Sequence, residues 1–208
     1  MYIYAFGSIC RGEVDYLSDI DMLAIVNSKS NQFNPSDYSI YSCDRILELW
    51  KQGNPFAWHL YLESKLVYSS DSIDYLRDIG MPELYKNGIS DCKKFREIFL
   101  SAKKSIEKSS FTEIFDLSCV FLSIRNFSTC YSLHLGIKPD FSRNSAFHLG
   151  IPIDKTIYGT LEKARALCTR GIGDVLTYNE ISKAKKSLGE VDTWTKVILE
   201  AIKYEDYK

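Results

Sequence analysis

Short apolar runs separated by polar breaks fill the first third of the chain. Residues 2–6 and 22–26 are rich in aromatic and β-branched or other apolar side chains, and Gly7 ends the first run. Such runs are typical of buried strands. Residues 38–41 predict a further short strand, and residues 44–52, followed by a Gly-Asn-Pro sequence, predict a helix. The pattern indicates a mixed sheet with flanking helices.

Residues 56–68 alternate along the chain. One set comprises Trp58, Leu60 and Leu62, and the other comprises His59, Tyr61 and Glu63. Because successive side chains of a strand point to opposite faces, this alternation predicts another strand or a hairpin of the same sheet.

Beyond residue 72 the apolar residues recur at helical spacing. Examples are Phe95, Ile98, Phe99, Ile114, Leu117, Phe121 and Ile124. Further helices are predicted near 157–169 and 193–203, with a polar connector at 136–152. We therefore expect an α+β protein with two domains, a sheet domain over residues 1–72 and a helical bundle over residues 73–208.

The first predicted strand is followed by Gly7-Ser8, a sequence suited to binding phosphate. Glycine lets the backbone approach a phosphate closely, and Ser8 offers a hydroxyl group. A helix that begins at this turn would add backbone amide donors. We therefore expect this turn to bind the triphosphate of a nucleotide.

The second predicted strand is preceded by Asp19-Ile20-Asp21. If this segment is extended, both carboxylates lie on one side while Ile20 packs into the core. Carboxylate oxygens are hard ligands that suit Mg²⁺, and two of them can serve a pair of Mg²⁺ ions during phosphoryl chemistry. Ser18, directly before the pair, is expected to shape the turn.

Taken together, the segments 6–12, Phe-Gly-Ser-Ile-Cys-Arg-Gly, and 18–21, Ser-Asp-Ile-Asp, resemble the signature of the polymerase-beta-type nucleotidyltransferase superfamily. Its smaller members include aminoglycoside nucleotidyltransferases and the antitoxins paired with HEPN toxins. The resemblance implies a nucleotidyltransferase fold and an Mg²⁺-dependent transfer of a nucleoside monophosphate from an NTP, such as ATP, to a hydroxyl acceptor, releasing pyrophosphate. It also implies site roles: triphosphate contacts for Gly7 and Ser8, Mg²⁺ ligation by Asp19 and Asp21, and a phosphate contact or closure of the turn for Arg11.

Active members of that superfamily usually carry a third acid on a neighbouring strand, as metal ligand or general base. Residues 38–41 contain no acid, although Asp37 precedes them. We prefer Glu63, which shares a predicted face with His59 and Tyr61. The alternative is a solvated sheet face on which Glu63 only begins a turn.

Several arginines of the second half are candidates for nucleotide binding. Arg125 lies beside core positions of an apolar helix, where an unpaired charge is costly, so it needs an anionic partner. Arg143, Arg165 and Arg170 are expected to join it in a cleft that faces the nucleotide, since guanidinium groups suit phosphate. The alternative is internal salt bridges, to Asp140, Glu162 or Asp116.

The helical half also loosely resembles a HEPN domain, whose ribonuclease motif pairs an arginine and a polar residue with a histidine four to six residues on. Arg125-Asn126 fits its start, but His134 follows eight residues later. His134 lies nine residues after Arg125, an offset that turns it about 180° away from Arg125 on a helix. We therefore interpret this half as a substrate-binding bundle and His148 as a loop or core residue.

Composition and charge limit the classes of partner and the compartment that we expect. The 208 residues carry 26 basic and 27 acidic side chains, a net charge of −1, which favours a small-molecule or protein acceptor over RNA. Six scattered cysteines lack zinc-ligand spacing and are expected to be free, mostly buried thiols. Neither a signal peptide nor an apolar run of about 18 residues is present, so we expect a cytoplasmic protein without a membrane partner.

Two functions of different class compete with the transferase hypothesis. One is a non-catalytic nucleotide-binding or interaction module, such as an antitoxin-like partner protein. The other is a HEPN-like ribonuclease, which is the least favoured because of the spacing of Arg125 and His134.

Overall fold

A computed structural model describes residues 1–14, 18–26, 33–108, 111–137 and 139–205, with side chains as far as Ile202. The chain divides into two compact units, residues 1–86 and residues 87–208. The first contains a four-stranded sheet, and the described part of the second consists of helices and their connections. The predicted α+β class is confirmed at this level. The predicted sheet domain ended at residue 72, whereas the compact unit extends to residue 86.

The sheet is built around its first strand. Strand β1 (Tyr2–Phe6) pairs antiparallel with β2 (Asp21–Ile25) on one side and with β4 (Ser64–Ser69) on the other. Strand β3 (Ser39–Tyr41) runs parallel to β2, giving the order β3-β2-β1-β4. The strands predicted at 2–6, 22–26 and 38–41 are therefore confirmed.

Four described helices accompany the sheet: α1 (Ser8–Arg11), α2 (Cys43–Lys51), α3 (Pro55–Glu63) and α4 (Tyr75–Asp78). Helix α2 matches the helix predicted at 44–52. Its N-cap is Ser42, whose hydroxyl accepts a hydrogen bond from the Arg45 amide. The apolar side chains of the helices and the sheet bury a common core that includes Leu23, Ile25, Ile46, Ala57 and Leu60.

The prediction of one strand or hairpin over residues 56–68 is wrong for its first part. Residues up to Glu63 form helix α3, and only β4 is extended. The helix begins where Asn54 accepts a hydrogen bond from the Phe56 amide and Pro55 occupies the first turn. Both are strong helix-start signals. Apolar residues occupy so many of these positions that the alternation did not distinguish a strand from a helix.

The second unit contains α5 (Gly88–Lys108), α6 (Glu113–His134), α7 (Ser145–His148), α8 (Lys155–Arg170) and α9 (Tyr178–Glu205). Helix α6 packs against both α5 and α8. Helix α8 confirms the helix predicted at 157–169, whereas the one predicted at 193–203 is only the end of the longer α9. None of the described helices is long and apolar enough to cross a membrane.

All six cysteines are free thiols, as expected. The expectation that most are buried is wrong, because only Cys92 and Cys130 are fully buried. Cys168 is exposed and the other three are half-buried.

Candidate functional site

The chain leaves β1 through a turn that only glycine adopts readily. Gly7 has φ +77° and ψ −141°, a combination in which any Cβ is strained. The turn leads into the four-residue helix α1, which Gly12 ends in the left-handed conformation. The Cys10 amide donates to the Gly7 carbonyl at 3.1 Å, so the backbone folds back at once.

Asp21 brings its carboxylate against this turn. Phe6, the residue before Gly7, lies opposite Asp21 in the β1–β2 register. A Cβ built on Gly7 would lie only 2.6 Å from Asp21 Oδ2, so no side chain fits there without moving the carboxylate. The two parts of the sequence motif, separated by 13 intervening residues in the chain, therefore meet at the same end of the sheet.

Asp19 lies just outside strand β2. Its side chain is exposed, while Ser18 is half-buried and its hydroxyl donates to the Glu13 carbonyl at 3.4 Å. The expectation that Ile20 packs into the core is wrong, since Ile20 is 61% exposed. The reason is that the strand begins at Asp21, so the alternation that would bury Ile20 does not yet apply.

The donor chemistry of this acidic pair fits magnesium. Among the described residues, no group of three or more His, Cys, Asp or Glu side chains is placed to bind a metal ion. Mg²⁺ in nucleotide sites commonly takes only one or two protein carboxylates and completes its octahedron with phosphate oxygens and water. Asp19 and Asp21 would supply those one or two carboxylates, whereas a zinc site made only of protein ligands would need more of them.

Behind the turn, Glu63 joins helix α3 to the Gly7 segment. Its backbone carbonyl accepts a hydrogen bond from the Gly7 amide at 3.3 Å. Its carboxylate contacts Arg11 Nη1 and lies 3.0 Å from His59 Nε2. Arg11 also donates through Nε to Glu13 at 2.7 Å. This network fixes α1 and the end of α3 to each other.

The electrostatics of Glu63 follow from these partners. Burial by itself would raise the pKa of its carboxyl group, but hydrogen bonding and charge from His59, together with the charge of Arg11, outweigh burial and lower the pKa. Glu63 is therefore ionised at neutral pH and is a weaker proton acceptor than an unpaired glutamate. Its predicted role as third carboxylate stays a prediction, and the contacts give it a structural role besides.

The arginines of the helical unit have partners within that unit. Arg125 donates to the backbone carbonyls of Phe141 at 2.8 Å and Ser142 at 3.3 Å. Arg143 Nη1 lies 3.0 Å from Glu162 Oε1, one of the internal salt bridges that the sequence allowed. Carbonyl partners were not foreseen for Arg125, because they depend on how the connector folds against α6.

Arg170 is half-buried at the end of α8, which Gly171 closes in the left-handed conformation. It lies in the last turn, where a cation favours the helix dipole. Its nucleotide contact, like those of Arg125 and Arg143, stays a prediction.

His134 and His148 make separate contacts in this unit. His134 packs so closely on Gly88 that a Cβ there would lie 2.4 Å from the His134 Cβ. Arg125 instead contacts the connector before α7, so Arg125 and His134 have different neighbours. His148 is exposed and contacts the Asp140 carboxylate, so it is a surface residue in an ion pair rather than part of the core.

Sequence reasoning missed His59 as the partner of Glu63. The two residues are four apart, which places them on one face once α3 is known to be a helix. The candidate site comprises Gly7, Asp19, Asp21 and their surroundings. No protein-family model matches the chain, and no curated protein matches it either.

Proposed function

We propose that residues 1–86 bind a nucleoside triphosphate with Mg²⁺ and transfer its nucleoside monophosphate to a hydroxyl acceptor. The observation that carries this proposal is the contact between the Asp21 carboxylate and the backbone of Gly7. It brings a carboxylate and a side-chain-free turn together at one end of the sheet. A triphosphate needs both features, because its charge must be neutralised while its oxygens approach the backbone closely.

Two carboxylates and the turn have distinct tasks in this reaction. Asp19 and Asp21 would bind Mg²⁺, and Gly7 and Ser8 would contact the triphosphate. Magnesium, when bound, neutralises the triphosphate and assists ionisation of the attacking hydroxyl. The acceptor oxygen forms a bond to the α-phosphorus, the bond from that phosphorus to the β-bridging oxygen breaks, and pyrophosphate leaves with its electron pair.

Glu63 supports the site without contacting the phosphates in this proposal. Its carbonyl fixes the Gly7 amide and its carboxylate fixes Arg11, so it acts as a positioning residue. Arg11 is thereby directed to Glu63 and Glu13, which favours closure of the turn over phosphate contact. The proton of the acceptor then passes to water or to an acceptor-side base.

A small-molecule or protein acceptor is favoured over RNA. The chain has a net charge of only −1, whereas RNA acceptors require an extended basic surface. A second candidate function is nucleotide binding without transfer. It is favoured by the finding that no three-acid cluster occurs among the described residues.

The test is a labelling experiment with matched variants. The purified protein is incubated with each α-³²P-labelled NTP, Mg²⁺ and a cell extract that supplies acceptors. The double variant Asp19→Asn/Asp21→Asn removes both charges with little change in shape. The control is Asp78→Asn, which removes one exposed carboxylate of the same unit. Circular dichroism verifies that all three proteins are folded.

Label should pass to an acceptor with the wild type and the control, and should fall to background with the double variant or with EDTA. Binding of a fluorescent ATP analogue is measured in parallel. Mg²⁺-dependent binding without any label transfer would favour the non-catalytic function. Absence of both binding and transfer, or transfer that survives in the double variant, would overturn the proposal.

A further inference from the structure

A cavity of about 420 Å³ lies between α7 and α8 in the helical unit. Its lining residues are Asn144, Phe147, His148, Lys155, Tyr158, Gly159 and Glu162. Cavities of small-molecule sites commonly measure about 300 to 1,000 Å³. This one therefore has room for a compact organic ligand, and none of its residues belongs to the proposed nucleotide site.

Aromatic rings form one side of the cavity. The rings of Phe147 and Tyr158 have their centroids 4.5 Å apart with an interplanar angle of 58°. Tyr158 is only 2% exposed, and its hydroxyl already donates to the Arg143 carbonyl at 2.5 Å. Phe147 is half-buried, so its ring offers a ligand apolar surface, which favours a flat apolar group.

The charged residues of the cavity lining are Glu162 and Lys155, together with the titratable His148. Glu162 is neutralised by Arg143 at 3.0 Å, and His148 contacts the Asp140 carboxylate. Within the described part of the chain, Lys155 makes no ion pair. Its ammonium group is exposed at the rim and carries a charge that an anionic ligand would neutralise.

Gly159 keeps the cavity open. It lies inside helix α8, where glycine is about 1 kcal/mol less favourable than alanine. Packing does not require it, because a Cβ at this position would meet no atom within 4 Å. Its φ angle is not in the left-handed region either. The position therefore leaves open space beside the cavity lining, which a larger side chain would fill.

We propose that this cavity binds a small organic anion that carries a flat ring. The ring would lie against Phe147 over Gly159, and the anionic group would contact Lys155. The Asn144 amide offers a further hydrogen bond at the rim. The inference does not depend on the proposed nucleotidyltransferase activity, since all of its residues lie within residues 87–208.

The probe is naphthalene-2-carboxylate, titrated into the full-length protein and followed by NMR, with 2-naphthylmethylamine as the probe of opposite charge. A ligand of this size should bind with a dissociation constant of about 1 mM or below. Gly159→Phe fills the cavity, and its matched control is Gly189→Phe, at an exposed helix-interior glycine of α9 that also has free space. Lys155→Met is paired with Lys186→Met, an exposed lysine of α9.

Gly159→Phe should weaken binding of the carboxylate at least about tenfold while Gly189→Phe leaves it unchanged, because a pocket ligand is mostly enclosed. Lys155→Met should weaken it about threefold, as expected for an exposed charge, and Lys186→Met should not. If Gly159→Phe does not fold, the lysine pair decides. Failure of the carboxylate to bind the wild type, equal binding of the amine, or equal effects of a variant and its control would overturn the proposal.

Discussion

Replacing Gly7 by alanine tests the contact on which the site argument depends. Two costs add in this variant. A non-glycine residue at φ +77° and ψ −141° is strained by about 1 to 3 kcal/mol. The new Cβ would also lie 2.6 Å from Asp21 Oδ2, and moving that side chain off its rotamer costs about 0.5 to 1.5 kcal/mol more. We expect a loss of about 1.5 to 4.5 kcal/mol in the free energy of unfolding of residues 1–86.

The assay is urea unfolding followed by tryptophan fluorescence, because Trp50 and Trp58 both lie in this unit. Gly12→Ala is the matched control. Gly12 also has a positive φ, +74°, but a Cβ there would meet no atom within 4 Å. That variant should lose only the backbone strain, about 1 to 2 kcal/mol.

A double-mutant cycle with Asp21→Ala separates the two costs of Gly7→Ala. Without the Asp21 carboxylate, the new Cβ has space and only the backbone strain remains. The coupling energy between the two positions should therefore be about 1 kcal/mol. If Gly7→Ala costs the same in both backgrounds, the proposed contact with Asp21 is absent and the reasoning is refuted.

Two further predictions concern other contacts. Glu63→Gln should cost about 1 to 3 kcal/mol at neutral pH, since it removes a hydrogen-bonded charge. Burial raises the pKa of Glu63, but hydrogen bonds and charge from His59 and Arg11 lower it below its ordinary 4.5, so this contribution is complete above that pH and is lost as the pH falls through the folded-state pKa. Urea unfolding should show wild type and variant converging as the pH falls through the folded-state pKa, and a constant difference would contradict the pairing. Gly88→Ala should lower the midpoint of thermal unfolding, because its Cβ would lie 2.4 Å from the side chain of His134. In a His134→Gly background, which lacks that Cβ, Gly88→Ala should cost much less, and an undiminished loss would refute this contact.

The strands and the meeting of Gly7 with Asp21 could be predicted from the sequence. Buried strands leave continuous apolar runs, and a glycine directly after such a run indicates a turn that needs its conformation. The meeting of Gly7 with Asp21 was expected from the two-part motif, and the structure accounts for it by the antiparallel pairing of β1 with β2, which brings the residue after Phe6 close to Asp21. Local sequence signals were sufficient to place these strands because each of them has a distinct boundary.

Helix α3 was not predicted, although its start was visible in Asn54-Pro55. Most of its positions are apolar or aromatic, so a period of two and a period of 3.6 fit almost equally well. The position of Glu63 depended on this choice. As a strand residue it would share a face with both His59 and Tyr61, whereas as the last helical residue it contacts His59 one turn earlier.

The partners of Arg125 depended on tertiary structure. Its guanidinium group contacts carbonyls of Phe141 and Ser142, 16 and 17 residues further along the chain. No local pattern indicates where a connector directs its carbonyl oxygens. The requirement for a partner was predictable from burial beside core positions, but the chemical kind of partner was not.

The central position of β1 has a consequence for the order of folding. Its two neighbours are β2 and β4, and β4 ends only at Ser69. During synthesis, β1 therefore gains its second partner only after residue 69 has been made. The helices α5 and α6, by contrast, are consecutive and pack directly on each other. Local contacts form faster than distant ones. The sheet unit should therefore set the overall rate, and its apolar first strand is the segment most exposed to intermolecular pairing until β4 has been made.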